Sequence, residues 1–277
     1  MSESTNLPLV VIQPPRKWAA LNLKDLLEYR ELFATLATRD LKVRYKQTEL
    51  GVAWAILQPF FMMIVFTLVF GKLGKVPSDG VPYPVFTLSA LVPWSYFTTA
   101  LTQSSSSLVD SANLITKVYF PRLVIPLAAT IAGLVDLGVS FLLLIAVMLY
   151  YRIVPTMGVI ALPVFVLLAL VTAMGAGVWL SALNVEYRDI RYVVPFLVQL
   201  WLFLTPVAYP SSLIPEQWQA VYALNPMAGV IQGFRWALFG QPLDAFNLAI
   251  SVTVAVLILV AGLFYFRHME QTFADVV

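Results

Sequence analysis

The sequence predicts an all-α integral membrane protein with six transmembrane helices. An amphipathic N-terminal helix lies on the membrane, and a re-entrant helical hairpin separates helices five and six. Three observations carry this expectation. The 277 residues are 60% apolar and 12% charged, whereas a soluble domain is about 45–50% apolar and about 25% charged, so a water-soluble globule is excluded. The few charges divide the chain into long uncharged stretches. The lysines and arginines fall mostly on one side of the topology that those stretches define.

Residues 1–23 form an N-terminal tail. Its apolar run Leu7–Ile12 is too short for a signal peptide and is interrupted by Pro8. A helix is predicted over 24–46, with Asn22 as its cap and Asp25 three residues on. Leu26, Tyr29, Phe33 and Leu36 recur as one narrow apolar stripe, and charges occupy the remaining surface, so the helix lies on a membrane rather than through it. Its last part, with Arg39, Asp40, Lys42, Arg44 and Lys46, carries a net charge of +3. Two compatible roles suit it: an anchor on anionic lipid headgroups, and a gate that meets an anionic, lipid-linked substrate.

The membrane domain covers 51–267. A membrane helix takes about 20 mostly apolar residues, and the charge-free stretches place crossings at 52–70, 85–103, 123–150, 157–180, 193–209 and 247–266. Asp136 is the one charge well inside a crossing. An intramembrane carboxylate is a functional candidate; a packing role, a pore or gate role and proton coupling all remain open for it. Ala173, Gly177 and Ser181 form a small-xxx-small series that implies close helix packing.

Between crossings five and six, residues 210–244 carry only Glu216, Arg235 and Asp244 as charges and are rich in aromatics, among them Trp218 and Tyr222. Pro215, Asn225-Pro226, Gly229 and Gly233 interrupt the segment, which implies two short helices hinged at Asn225-Pro226. Irregular backbone at membrane depth is tolerated only inside protein or beside a watery cavity. A re-entrant hairpin fits; two further crossings would need more residues.

An even number of crossings puts both termini on one side. Thirteen of the seventeen cations fall there: Arg16, Lys17, Lys24, Arg30, Arg39, Lys42, Arg44 and Lys46 before the first crossing, then Lys117, Arg122, Arg188, Arg191 and Arg267. Lys72, Lys75, Arg152 and Arg235 fall on the other. Both termini, including the tail 268–277, are therefore expected to be cytoplasmic.

The inventory of reactive groups is small. There is no cysteine and one histidine, His268, which removes disulfides, thiol catalysis and Cys-ligated metals, and leaves little for a histidine-based enzyme. No metal site is expected. The chain has no GxxxxGK[ST] phosphate loop, and Gly71-Lys72-Leu73-Gly74-Lys75 lacks its spacing. Aromatic faces can stack on the apolar CH faces of sugars. Trp54, Phe60, Phe61, Trp94, Phe97, Trp201 and Phe203 are thus candidates for a pore lining, although each alone also reads as a packing or lipid-facing residue.

Arg39–Lys46, with Leu50-Gly51 and Trp54 through Leu57-Gln58-Pro59, resembles the approach to the first crossing in permeases of polysaccharide-exporting ABC transporters. Asn113–Arg122 is similar to that family's loop between crossings two and three, and Leu224–Met227 with Gly233-Phe234-Arg235 to its segment before the last crossing. The resemblance runs in order from about Tyr29 to Phe266. It implies a homodimer in the bacterial cytoplasmic membrane with two copies of a separate ATPase, in which ATP and Mg would bind. The cargo would be a lipid-linked polymer of the O-antigen, capsule or teichoic-acid kind, and no nucleic acid is involved.

The resemblance also implies roles for residues. Asn113, Leu114, Ile115, Lys117, Val118, Tyr119, Phe120 and Arg122 would form the coupling loop that docks in the ATPase; its apolar members suit such a groove better than water. Glu186, Arg188, Asp189 and Arg191 form a second cytoplasmic loop, either simply solvated or an auxiliary ATPase contact. Tyr29, Phe33, Leu36, Arg39, Arg44 and Lys46 would belong to a gate helix. Trp218, Tyr222, Asn225, Pro226 and Arg235 would belong to a periplasmic gate. The residues agree on their own terms: without a nucleotide site the motor must be another chain, twofold pairing of six helices places a pore on the axis, and the spans lack the charges an ion-coupled carrier needs. The alternatives are a related ABC permease for a drug or lipid, and an ATP-independent scramblase or carrier.

Overall fold

The computed structural model describes residues 29–46, 51, 53–118, 120–270 and 273. The predicted tail 1–23, residues 24–28 of the predicted first helix, and Tyr119 lie outside the described residues. Among those described, every regular element is helical. In order they are α1 (Arg30–Lys46), α2 (Ala53–Phe66, continued by a π-helical stretch Thr67–Leu73), α3 (Tyr83–Asp110), the short α4 (Ala112–Lys117), α5 (Val124–Tyr150), α6 (Leu162–Glu186, entered through a 3₁₀ turn Met157–Ala161), α7 (Ile190–Phe203), α8 (Glu216–Ala223), α9 (Pro226–Phe239) and α10 (Ala245–Met269).

Among the described residues, four helices are long and apolar enough to cross a membrane: Ala53–Leu73, Val124–Tyr150, Met157–Glu186 and Ala245–Met269. They coincide with the expected first, third, fourth and sixth crossings. The expected second crossing, 85–103, is part of a longer helix, α3, of 28 residues. That helix is rich in Ser and Thr because protein, not lipid, surrounds it: α5 and α6 pack along it, and Val85 through Trp94 are buried without a break. Its hydroxyls close locally, as Ser89 donates to the Phe86 carbonyl (2.8 Å) and Ser104 to that of Pro126 (3.1 Å). The Asn184 amide donates to the Ser105 carbonyl (2.9 Å) and ties α6 to α3.

The expected fifth crossing, 193–209, is helical only to Phe203. The 14 residues of α7 reach about 21 Å, short of a hydrocarbon core of about 30 Å. Thr205, Pro206, Val207 and Ala208 follow as buried turns.

Backbone approach fixes the crossing of α6 and α10. A side chain at Gly175 would come within 2.6 Å of the Leu259 backbone, and one at Gly262 would collide with the Gly175 carbonyl. The predicted small-residue series Ala173, Gly177 and Ser181 is buried on α6, where Gly177 faces Ser104 of α3. Gly262→Leu should therefore push the two helices apart and cost about 2 kcal/mol or more. Gly138→Leu, where a side chain meets open space, should be tolerated. Thermal unfolding and size-exclusion profiles of the two variants in detergent check the contrast.

Candidate functional site

The helix breaks of the second half converge on one stretch of irregular backbone, residues 204–210. Buried carbonyls must find donors, and here side chains supply them. Arg235, at 2% exposure, donates to the carbonyls of Val207 (3.2 Å) and Tyr209 (3.4 Å). Its guanidinium lies 3.6 Å from the centre of the Phe86 ring, a cation–π contact that offsets part of the cost of burying the charge. The Tyr83 hydroxyl donates to the Ala208 carbonyl.

Asn225 works in two directions. Its side-chain oxygen accepts from the Met227 amide (3.1 Å), capping α9 ahead of Pro226, and its amide donates to Thr205 (2.9 Å). The hydroxyls of Tyr209 and Tyr222 meet at 2.8 Å, and Ser251 of α10 donates to the Ala223 carbonyl (2.8 Å). Of the residues expected at the periplasmic gate, Tyr222, Asn225, Pro226 and Arg235 thus come together, while Trp218 stands on the surface, 57% exposed.

The opposite end carries a second assembly. Leu36 of α1, Leu108 of α3, Ile115 of α4, Phe120, Val124 and Ile125 of the α5 entrance, Val178, Ala182 and Val185 of α6, and Phe266 and Phe273 form one buried cluster, with Tyr29 and Phe33 packed at its edge. The stripe on α1 therefore rests on the chain's own helix ends. Its charges face outward: Arg39 pairs with Asp40 at 2.9 Å, and Lys46 is exposed. Arg44 lies on the same helix. Arg122 donates to the Glu270 carbonyl, and Arg267 pairs with the Glu270 carboxylate (2.9 Å), fastening the α4–α5 loop to the end of α10.

In the α4 loop the apolar residues split. Ile115 and Phe120 (4% exposed) point inward, and Leu114 is half-buried; Asn113, Lys117 and Val118 (52% exposed) form the outward face. Sequence reasoning treated these apolar residues as one outward knob, and it missed the part played by Phe273, which stacks edge-on to Phe266. The repeat Phe266…Phe273, one heptad apart, was the available signal.

Glu186, Arg188, Asp189 and Arg191 are all exposed at the turn between α6 and α7. Beside them, Glu186 raises the Tyr187 hydroxyl above its ordinary pKa, first as hydrogen-bond acceptor and then by its charge. The seven candidate pore aromatics do not gather on one surface. Trp94 and Phe97 are buried side by side, and Phe97 meets Trp201 edge-on at 5.3 Å. Trp54, Phe61 and Phe203 face outward, and Phe60 is half-buried against the core.

The profile of the family described as ABC-2 type transporter matches residues 31–239. The chain belongs to the ABC-2 type transporter family. Its similarity to individual ABC-2 members extends over most of its length. It is 32% identical to the O-antigen export system permease protein RfbA of Myxococcus xanthus, covering 91% of this chain and 98% of that one. A protein of the same name from Klebsiella pneumoniae is 27% identical over 89% of this chain and 95% of its own. The polysialic acid transport protein KpsM of Escherichia coli is 22% identical over 85% and 92%.

Within this ABC-2 chain the two assemblies respond differently to substitution. Arg235→Met removes the donors to two carbonyls and the partner of the Phe86 ring, and should lower stability by about 3 kcal/mol, read as a lower unfolding temperature. Phe120→Ala should likewise destabilise, by about 3 kcal/mol. Val118→Asp, on the outward face, should leave the unfolding temperature within a degree or two (surface changes cost about 0.5 kcal/mol or less) while reducing transport.

Proposed function

We propose that this chain is the channel-forming membrane subunit of an ATP-driven exporter that moves lipid-linked polysaccharide across the bacterial cytoplasmic membrane. The observation that carries the reading is similarity over some nine-tenths of the chain to permeases named for O-antigen export, with a further relative named for polysialic acid transport. Relatives of two different polymers favour a polymer conduit over a permease for a single drug.

The working unit is a homodimer with two copies of a separate ATPase, in which ATP and Mg bind. The chain itself does no covalent chemistry. The ATPase engages the outward face of α4, Asn113, Lys117 and Val118, together with Tyr119, the next residue in the sequence, and the exposed α6–α7 turn adds a contact. The buried cluster behind α4 includes the ends of α3, α5, α6 and α10 together with α1, so a push on α4 reaches long helices and the basic α1 at once.

The topology is six crossings with both termini cytoplasmic. α3 makes the second crossing inside the bundle. α7 makes most of the fifth and hands over to the 204–210 turns, and α8 and α9 form a re-entrant hairpin on the outer side. α1 lies at the inner membrane surface as the gate helix.

Two measurements test the reading. Deletion of the chain should abolish surface polymer and leave its lipid-linked form inside the cell, and restored export by Val118→Asp at wild-type level would remove the coupling assignment. Because the sequence contains no cysteine, single cysteines report topology directly. In intact cells an impermeant maleimide should label cysteines placed at Ser78 and Ser212 but not at Lys117 or Arg188; the reverse pattern would overturn the topology.

A further inference from the structure

The geometry points to a sugar-binding site in the cleft between α2, α3 and α5, which reads the glycosyl residue nearest the lipid of the exported substrate. This rests on the polysaccharide reading above and adds a specificity-determining site to it. The cleft has a volume of about 240 Å³, below the range of drug-sized pockets and suited to a single ring. Trp54 and Gln58 of α2, Ser95 and Thr99 of α3, Asp136 of α5 and Tyr45 of α1 line it. In a membrane domain whose long helices are otherwise nearly free of charge, these polar groups share one concavity.

The wall is held in place by a consequence of Pro59. Proline has no N–H, so the Ala55 carbonyl four residues earlier loses its partner within the helix. The Ser140 hydroxyl of α5 donates to that carbonyl instead, at 2.9 Å. Asp136 lies one turn before Ser140 on the same face of α5, and Gln58 lies one turn after Ala55's neighbour Trp54 on α2. One hydrogen bond therefore sets the spacing between the two sides of the cleft.

The lining selects its ligand by chemistry. An anionic group finds no cationic side chain among the lining residues. An acyl chain would strip water from Gln58, Ser95, Thr99 and Asp136 and return no hydrogen bonds. A neutral ring with several hydroxyls satisfies them: the carboxylate accepts, Gln58 donates and accepts, and the Ser and Thr hydroxyls do either. Trp54, 53% exposed at the rim, offers an indole face to the CH face of the same ring. Tyr45 comes from α1, on which Lys42 and Lys46 are exposed. These cations suit the anionic linkage between lipid and first sugar, with the sugar one step further in.

The test uses the full chain with its ATPase in proteoliposomes and compares two probes: a polyprenyl-diphosphate-linked disaccharide and the polyprenyl diphosphate without sugar. The readout is the lipid concentration that half-maximally stimulates ATP hydrolysis. The wild type should respond to the sugar-bearing lipid at a concentration about tenfold lower than to the bare lipid, the size expected for one or two hydrogen bonds to a charged group. Asp136→Asn and Trp54→Ala should erase that difference, and Trp54→Phe, which keeps a stacking face, should retain most of it. If Asp136→Asn does not fold, Gln58→Ala and Thr99→Val test the same wall. Equal response of the wild type to both lipids, or survival of the preference in folded variants, overturns the site. If polymer export in cells requires the chain while that preference is absent, only the site falls. If neither lipid stimulates and cells lacking the chain still export polymer, the polysaccharide reading falls with it.

Discussion

The interaction on which one end of the helical domain depends is the capture of backbone carbonyls by Arg235. A chain that leaves helical geometry inside an apolar domain exposes polar groups that neither lipid nor neighbouring side chains of Val or Leu can satisfy. At 204–210 three side chains from two helices supply the donors: Arg235 of α9, Asn225 at the start of α9 and Tyr83 of α3. A guanidinium suits this place because its planar fork reaches two carbonyls while its face rests on Phe86. With the turns satisfied, α7 can stop at Phe203 and α8 and α9 can fold back.

At the other end the fastening is apolar. Side chains from α1, α3, α4, α5, α6 and α10 share one buried cluster, and the arginines at 122 and 267 close on Glu270 at its border. The domain is thus tied at both ends, with α3 running between the ties through the middle of the bundle. A helix in that position needs shape and internal hydrogen bonds more than greasiness, which explains its serines and threonines. It also explains why hydropathy finds only four long spans where the uncharged stretches suggested six.

The features legible in the sequence are the local ones. The long helices follow from uncharged apolar stretches, and the Asn225-Pro226 hinge from the prolines and glycines that interrupt its segment. Partners across the fold were not legible. Nothing local says that Arg235 meets Val207 and Tyr209. The end of α7 was hidden because 204–209 is as apolar as the helix before it. The direction of Ile115 and Phe120 was hidden because an apolar residue on a short loop serves equally well as an outward knob or an inward anchor. Only the cluster beneath it decides. The aromatics were ambiguous for the same reason, and Trp94 turns out to pack on Phe97 and Phe97 on Trp201.

That stacking bears on where the domain can open. Trp94, Phe97 and Trp201 join α3 to α7 in the interior, and the α6–α10 crossing is closed at the level of backbone, so neither seam offers a path without dismantling close packing. α2 differs. Trp54, Ile56, Phe61, Val65 and Leu68 are exposed along it, Pro59 interrupts its hydrogen bonds, and its last turns are π-helical, a form that often marks functional strain. α7 likewise buries only Val194 and Val198 and exposes Phe196, Leu197, Leu200 and Phe203. Apolar faces of this size must be covered, by lipid or by a second copy of the chain. The helix interrupted by both a proline and a π-helical stretch is also the one that walls the Asp136 cleft, so displacement of α2 would change the cleft before it disturbed the core. A displacement of α2 therefore leaves the clamp at Arg235 and the cluster behind α4 intact.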